Sequence, residues 1–88
     1  MASPVVSILH ISPKVAEKLE AKHGIDPDEV RSAVVGVPGL PYSRNKHPQR
    51  GWRVYVFVEI DDEPVQVVLY PCRSGNPEEW HLGSAYPE

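Results

Sequence analysis

Residues 51–72, GWRVYVFVEIDDEPVQVVLYPC, leave this chain little freedom in how it folds. Two runs rich in Val, Ile, Tyr, Phe and Trp flank a polar segment, Asp61-Asp62-Glu63-Pro64, which is the signature of a β-hairpin. With those four residues as the loop, Ile60 faces Val65, Val58 faces Val67 and Val56 faces Leu69. The other face pairs Glu59 with Gln66, Phe57 with Val68, Tyr55 with Tyr70 and Arg53 with Cys72. Side chains alternate between faces, so a one-residue slip would move the whole aliphatic set to the wrong side. One face is therefore core. The other carries Arg53, Tyr55, Tyr70 and Gln66.

The chain has 88 residues, enough for one domain spanning 1–88 with a small core, so stability is expected to lean on a partner or a dimer. Hydrophobic residues make up 41% and charged residues 24%, the balance of a soluble globular chain rather than a disordered one. A single cysteine, Cys72, excludes an internal disulfide and fits a reducing cytoplasm. No apolar run approaches the ~20 residues of a membrane span, and no basic lead precedes an apolar stretch as in a signal peptide. The net charge of −3 hides a segregation. Between residues 30 and 58 there are five bases (Arg31, Arg44, Lys46, Arg50, Arg53) and no acid, whereas residues 59–88 hold seven acids and only Arg73. Because screening limits such fields to about 8–10 Å, a basic belt on an acidic protein can still attract phosphates.

Residues 5–11 read as a first strand. Ser12 as N-cap and Pro13 at the first helical position open a helix running to residue 23, closed by Gly24. Asp26 caps a second helix, with Pro27 first and Glu29 completing a capping box. Val30, Ala33, Val34 and Val37 follow the spacing of a buried helical face, and Ile25 can staple onto Val30. Residues 38–51, with three prolines, form a loop that has room for a short strand near 40–44. After Cys72 comes a turn, and residues 78–82 are read as one helical turn. The order is an α+β sandwich, an N-terminal strand and two short helices before an antiparallel sheet (β-α-α-β-β-β).

The four histidines and one cysteine lack the close spacing of a zinc signature, so neither metal nor other cofactor is expected. His10 in a strand and His23 at a helix C-terminus read as structural. His47 in the basic loop and His81 beside Trp80 are candidate acid/base groups. Cys72 has no evident activating base, and Glu78-Glu79 reads as a solvated helix start. The remaining constellation is basic and aromatic: Arg53, Tyr55 and Tyr70 on one sheet face, Arg44, Lys46, His47 and Arg50 from the preceding loop, and Arg73, Trp80 and His81 from the other side. Such a set suits RNA. Aromatic faces stack unpaired bases, cations hold phosphate, and the 2′-hydroxyl can attack the adjacent phosphate without a metal if a base and an acid are at hand.

Lys22-His23-Gly24-Ile25 followed by Asp28-Glu29-Val30, the strand start Gly51-Trp52-Arg53-Val54, and an apolar final strand ending in Arg73 resemble the RelE/ParE-like toxin superfamily of bacterial toxin–antitoxin systems, in particular its BrnT-like branch. The resemblance covers residues 8–86. It implies a RelE-like fold and a cytoplasmic, metal-independent ribonuclease that stops translation by cutting mRNA, masked by a cognate antitoxin protein in a toxin–antitoxin complex or homo-oligomer. Carried residue by residue, it implies a site of Arg53, Arg73 and Tyr86. The competing classes are a non-catalytic protein of the same fold that binds a partner, which the acidic tail favours, and a stand-alone RNA-binding module.

Overall fold

The computed structural model describes residues 4–49 and 51–88. Strand β1 (Ile8–His10) leads into helix α1 (Pro13–Lys18), which runs on as a π-helical stretch, Leu19–His23, before helix α2 (Pro27–Val34). Strands β2 (Tyr42–His47), β3 (Gly51–Ile60), β4 (Glu63–Pro71) and β5 (Glu79–Pro87) follow. They form one sheet in the order β1-β5-β4-β3-β2, with β1 parallel to β5 and every other pair antiparallel. The α+β class and the placing of both helices between the first strand and the meander are as the sequence leads one to expect. The sheet has one strand more than the β-α-α-β-β-β order, because residues 78–82 are not a helical turn but open β5. The proline-rich loop likewise holds a full strand, β2, extending past residue 44. No helix among the described residues is long and apolar enough to cross a membrane.

Both N-caps and the glycine stop act as the sequence indicates. The Ser12 hydroxyl accepts from the Val15 N–H at 3.2 Å, and the Asp26 carboxylate from the Asp28 N–H at 2.9 Å. Gly24 takes the left-handed conformation, φ 63°, at which a Cβ would be strained. The Ile25 N–H there reaches the Leu19 carbonyl at 3.1 Å, so the helix ends one residue wider than an ordinary glycine cap and turns both Leu19 and Ile25 into the core. Val30 and Val34 are fully buried from α2, with Ala33 and Val37 beside them. The Asp26 cap takes the Asp28 N–H rather than that of Glu29, and the Glu29 carboxyl lies beside Asp61 of the β3–β4 turn.

The central hairpin is tighter than its sequence suggests. Asp61 and Asp62 both have positive φ, 53° and 63°, so the chain reverses in a two-residue turn of the kind that matches strand twist. Asp tolerates this region because its short side chain can bond locally. Glu63 and Pro64 thereby join β4, Pro64 near the strand start where its missing N–H is tolerated. The register shifts by two residues from the four-residue-loop reading: Val58 pairs with Val65, Val56 with Val67, Val54 with Leu69, and Tyr55 with Val68 instead of Tyr70. A shift of two preserves the faces. Val54, Val56, Val67, Leu69, Leu82 and Ala85 form the sheet's contribution to one core under the helices.

Candidate functional site

The sheet face turned away from the helices carries the chemistry. In β3, Arg53, Tyr55 and Phe57 alternate with buried Val54 and Val56. In β4, Gln66, Val68 and Tyr70 share that face, and a register shift between Val68 and Leu69 leaves Gly83 as the extra residue of β5. The irregularity is required by Tyr70. A Cβ on Gly83 would sit 2.3 Å from Tyr70 Cε2 and 2.8 Å from Cδ2, so the ring lies flat against bare backbone. Gly83→Ala is expected to lower the melting temperature through overpacking, about 1–3 kcal/mol. In a Tyr70→Leu background the same change should cost much less. Equal losses in both backgrounds would show that Tyr70 is not what requires the glycine.

Held in this way, Tyr70 meets Arg53. The two side chains are hydrogen-bonded, and this bond, together with the nearby Tyr55, Tyr70 and Tyr86 hydroxyls, holds the guanidinium pKa above its ordinary value against partial desolvation. The guanidinium also lies over the Tyr55 ring, 5.1 Å from its centroid. Its Nε is buried and has no hydrogen-bond partner among the described residues. Tyr86 completes the aromatic group, its hydroxyl accepting from Gln66 Nε2 at 2.9 Å and its ring 6.1 Å from that of His23.

Pairing extends the row across the sheet. Asn45 lies opposite Arg53, Tyr70 opposite His81, and His81 opposite His10, whose ring is 5.3 Å from that of His81. The row His10–His81–Tyr70–Arg53–Asn45 thus crosses all five strands. Beyond its end, Glu79 bonds His10 Nε2 at 2.5 Å and Ser74 Oγ at 2.7 Å, and these bonds hold its pKa below the usual carboxylate range. Burial and the Glu79 charge push the Cys72 thiol up, which keeps it from acting as a nucleophile at neutral pH.

Of the residues singled out from the sequence, Arg53, Tyr55, Tyr70, Tyr86 and His81 share this face. Arg44, Lys46, Trp80 and Arg73 do not join them. Arg44 and Lys46 alternate onto the opposite face, opposite Val54 and Trp52, where they stand 5.7 and 6.0 Å from the Trp52 ring centroid. Trp80 also turns to the helix side, packing on the core and donating its Nε1–H to the Val5 carbonyl at 3.0 Å. Arg73 is exposed in the turn after β4. His47 lies at the end of β2, where its Nδ1 accepts from the Gln49 N–H at 3.1 Å. Arg50 lies outside the described residues. Sequence reasoning missed His10, Asn45, Glu79 and Gly83 as parts of this surface. The usable signal was the alternation of Trp80, His81 and Leu82, which reads as a strand until the extra Gly83 inverts the parity.

A concavity of about 400 Å³ lies apart from this face, between α2 and the β3–β4 turn. Its acids Asp28, Glu29, Glu59 and Asp61 make it hostile to phosphate. Desolvation first, then the hydrogen bond and charge of Asp61, raise the Glu29 pKa. Glu29 therefore binds its proton more tightly when folded, and the resulting stabilisation is complete at low pH and lost as pH rises through the raised value. Glu29→Gln, which mimics the protonated form, is expected to melt above wild type at neutral pH, the gap closing toward pH 4. A gap independent of pH would exclude this cause.

Compared with protein-family models, with curated proteins and with solved structures, the chain matches none.

Proposed function

We propose that this protein is a metal-independent endoribonuclease of the toxin type, RelE-like in fold, working in the cytoplasm on mRNA and held in check by an antitoxin partner. The observation that carries the reading is the junction of Arg53, Tyr70 and His81 on one sheet face, with an unpartnered buried Arg53 Nε at its centre. RNA cleavage of this kind needs little more. The 2′-oxygen attacks phosphorus as its proton passes to a base, the bond to the 5′-oxygen breaks, and that oxygen receives a proton. The products are a 2′,3′-cyclic phosphate and a free 5′-hydroxyl. The His81 imidazole supplies the base that takes the 2′-hydroxyl proton and the acid that returns it to the 5′-oxygen. The Arg53 guanidinium, ionised at every working pH, offers planar donors to the phosphate oxygens as negative charge gathers there. The Tyr55 ring presents a face for an unpaired base. The core-bound aliphatic rows beneath keep these groups from moving apart.

The decisive measurement is incubation of a single-stranded RNA with the purified chain in EDTA, free and on translating ribosomes. Fragments ending in 2′,3′-cyclic phosphate are expected, with 2′-O-methyl RNA inert. His81→Gln should slow cleavage by roughly 10²–10⁴. Intact RNA in both settings would sink the reading.

One observation favours the partner-binding alternative. Trp52 is 56% exposed and flanked by Arg44 and Lys46 beside the edge strand β2, a surface suited to an acidic segment of another protein. Binding of a partner there with no RNA cleavage by the free chain would support that reading over catalysis.

A further inference from the structure

The ends of three strands bring together a nitrogen, a sulfur and an oxygen donor. His10 closes β1, Cys72 follows the last residue of β4, and Glu79 opens β5. His10 nitrogen, Cys72 Sγ and a Glu79 carboxylate oxygen all lie within 4.8 Å of one another. We propose that these three side chains form a zinc site, independent of the ribonuclease reading, with a fourth position open beside His81.

Zinc binds imidazole, thiolate and carboxylate at about 2.0–2.3 Å, which sets donors roughly 3.4 Å apart around a tetrahedral ion. The donors lie within 4.8 Å of one another, and an ion would replace the direct bond of 2.5 Å between His10 Nε2 and Glu79 Oε2. The donor chemistry is selective. Magnesium and calcium take oxygen donors, and a mixed nitrogen, sulfur and oxygen set suits a borderline ion. One thiolate and one carboxylate also neutralise its charge. A second feature fixes the geometry. Ser74 Oγ donates to Glu79 Oε1 at 2.7 Å, so the carboxylate is oriented with Oε2 toward His10. Such outer bonds are how ligating carboxylates are held in place. The backbone adds rigidity, since the Cys72 N–H donates to the Glu79 carbonyl at 3.3 Å.

The consequence is mechanical. Strand β1 is three residues long and pairs with β5 through Ile8, Leu9 and His10, opposite Glu79, Trp80 and His81. An ion held by β1, β4 and β5 ties that short edge strand to the centre of the sheet and fixes His10 beside His81. Binding to the folded chain alone must raise the melting temperature with metal concentration.

The test uses zinc chloride as the probe on the reduced, full-length chain. Calorimetric titration should show one equivalent bound, a melting temperature that climbs with zinc but not with magnesium, and protection of Cys72 from a thiol reagent. Cys72→Ser and His10→Gln should each abolish binding while circular dichroism remains that of the folded chain. Ser74→Ala should weaken binding on the order of 10-fold or more. Arg53→Ala should bind as wild type, since Arg53 lies on β3. The proposal is overturned if the folded wild type takes up no zinc. It is equally overturned if Cys72→Ser and His10→Gln bind as tightly as wild type. Should either variant unfold, zinc-dependent protection of the wild-type thiol decides the matter alone, and an unprotected Cys72 at saturating zinc overturns it.

Discussion

Arg53→Ala is expected to abolish RNA cleavage while shifting the melting temperature by only a few degrees. The side chain is half-buried on the open face and bonds Tyr70 and the Tyr55 ring rather than the core under the helices. Its removal also deletes a buried Nε that has no partner among the described residues, a group whose desolvation weighs against the fold. A lost stabiliser of charge in the transition state typically costs about 10²–10³ in rate. Arg53→Lys keeps a charge but loses the planar fork, and should retain a small part of the activity. Arg44→Ala is the control, since Arg44 lies on the opposite sheet face and its loss should leave the chemical step unchanged. Melting curves and single-turnover cleavage on the three variants separate the outcomes. Cleavage retained in Arg53→Ala would take the central residue out of the site, and a joint collapse of melting and cleavage would make Arg53 structural.

The largest loss of stability is expected from Leu69→Ala. Leu69 is fully buried, paired with Val54 on one side and Leu82 on the other, at the middle of the five-strand sheet. Truncating a leucine there removes its transfer free energy and leaves a cavity that paired strands cannot collapse, about 2–5 kcal/mol. For a domain of this size, each kcal/mol is worth roughly 4–8 °C. Chemical denaturation should show the midpoint falling with little change in slope. Val56→Ala, also fully buried beside Val67, should cost about 2 kcal/mol. A harmless Leu69→Ala would mean that the helices do not cover this face.

Much of the architecture is legible in local sequence. Ser12 and Asp26 each cap a helix through a bond to a residue two or three positions on, so the signal is complete within a few residues. Gly24 ends the first helical segment for a reason internal to its own φ. The inside and outside of β3 and β4 follow from the period of two, which survives the error in loop length. What a local reading loses is anything that depends on a partner far along the chain. The edge strand β2 lacks a core-like pattern because most of its side chains are exposed, so its pairing with β3 rests mainly on the backbone. β5 is hidden by Gly83, whose extra position reverses the alternation halfway along the strand.

The sequence by itself determined which side chains face outward: Arg53, Tyr55, Gln66 and Tyr70 are excluded from the core by alternation alone, since their neighbours Val54, Val56, Val67 and Leu69 are the ones that gain by burial. Tertiary structure decided which of them touch. Two positive φ angles at Asp61 and Asp62 move the register by two residues, giving Tyr55 to Val68 and leaving Tyr70 to Arg53. Likewise, nothing near His10 in the chain signals its contact with Glu79, 69 residues away. That contact exists because β1, after which the helices and three further strands intervene in the chain, lies parallel to β5 over the shared core. Alternation is a property of the backbone and is written residue by residue. Adjacency across strands is fixed only when turns, bulge and long-range pairing close together.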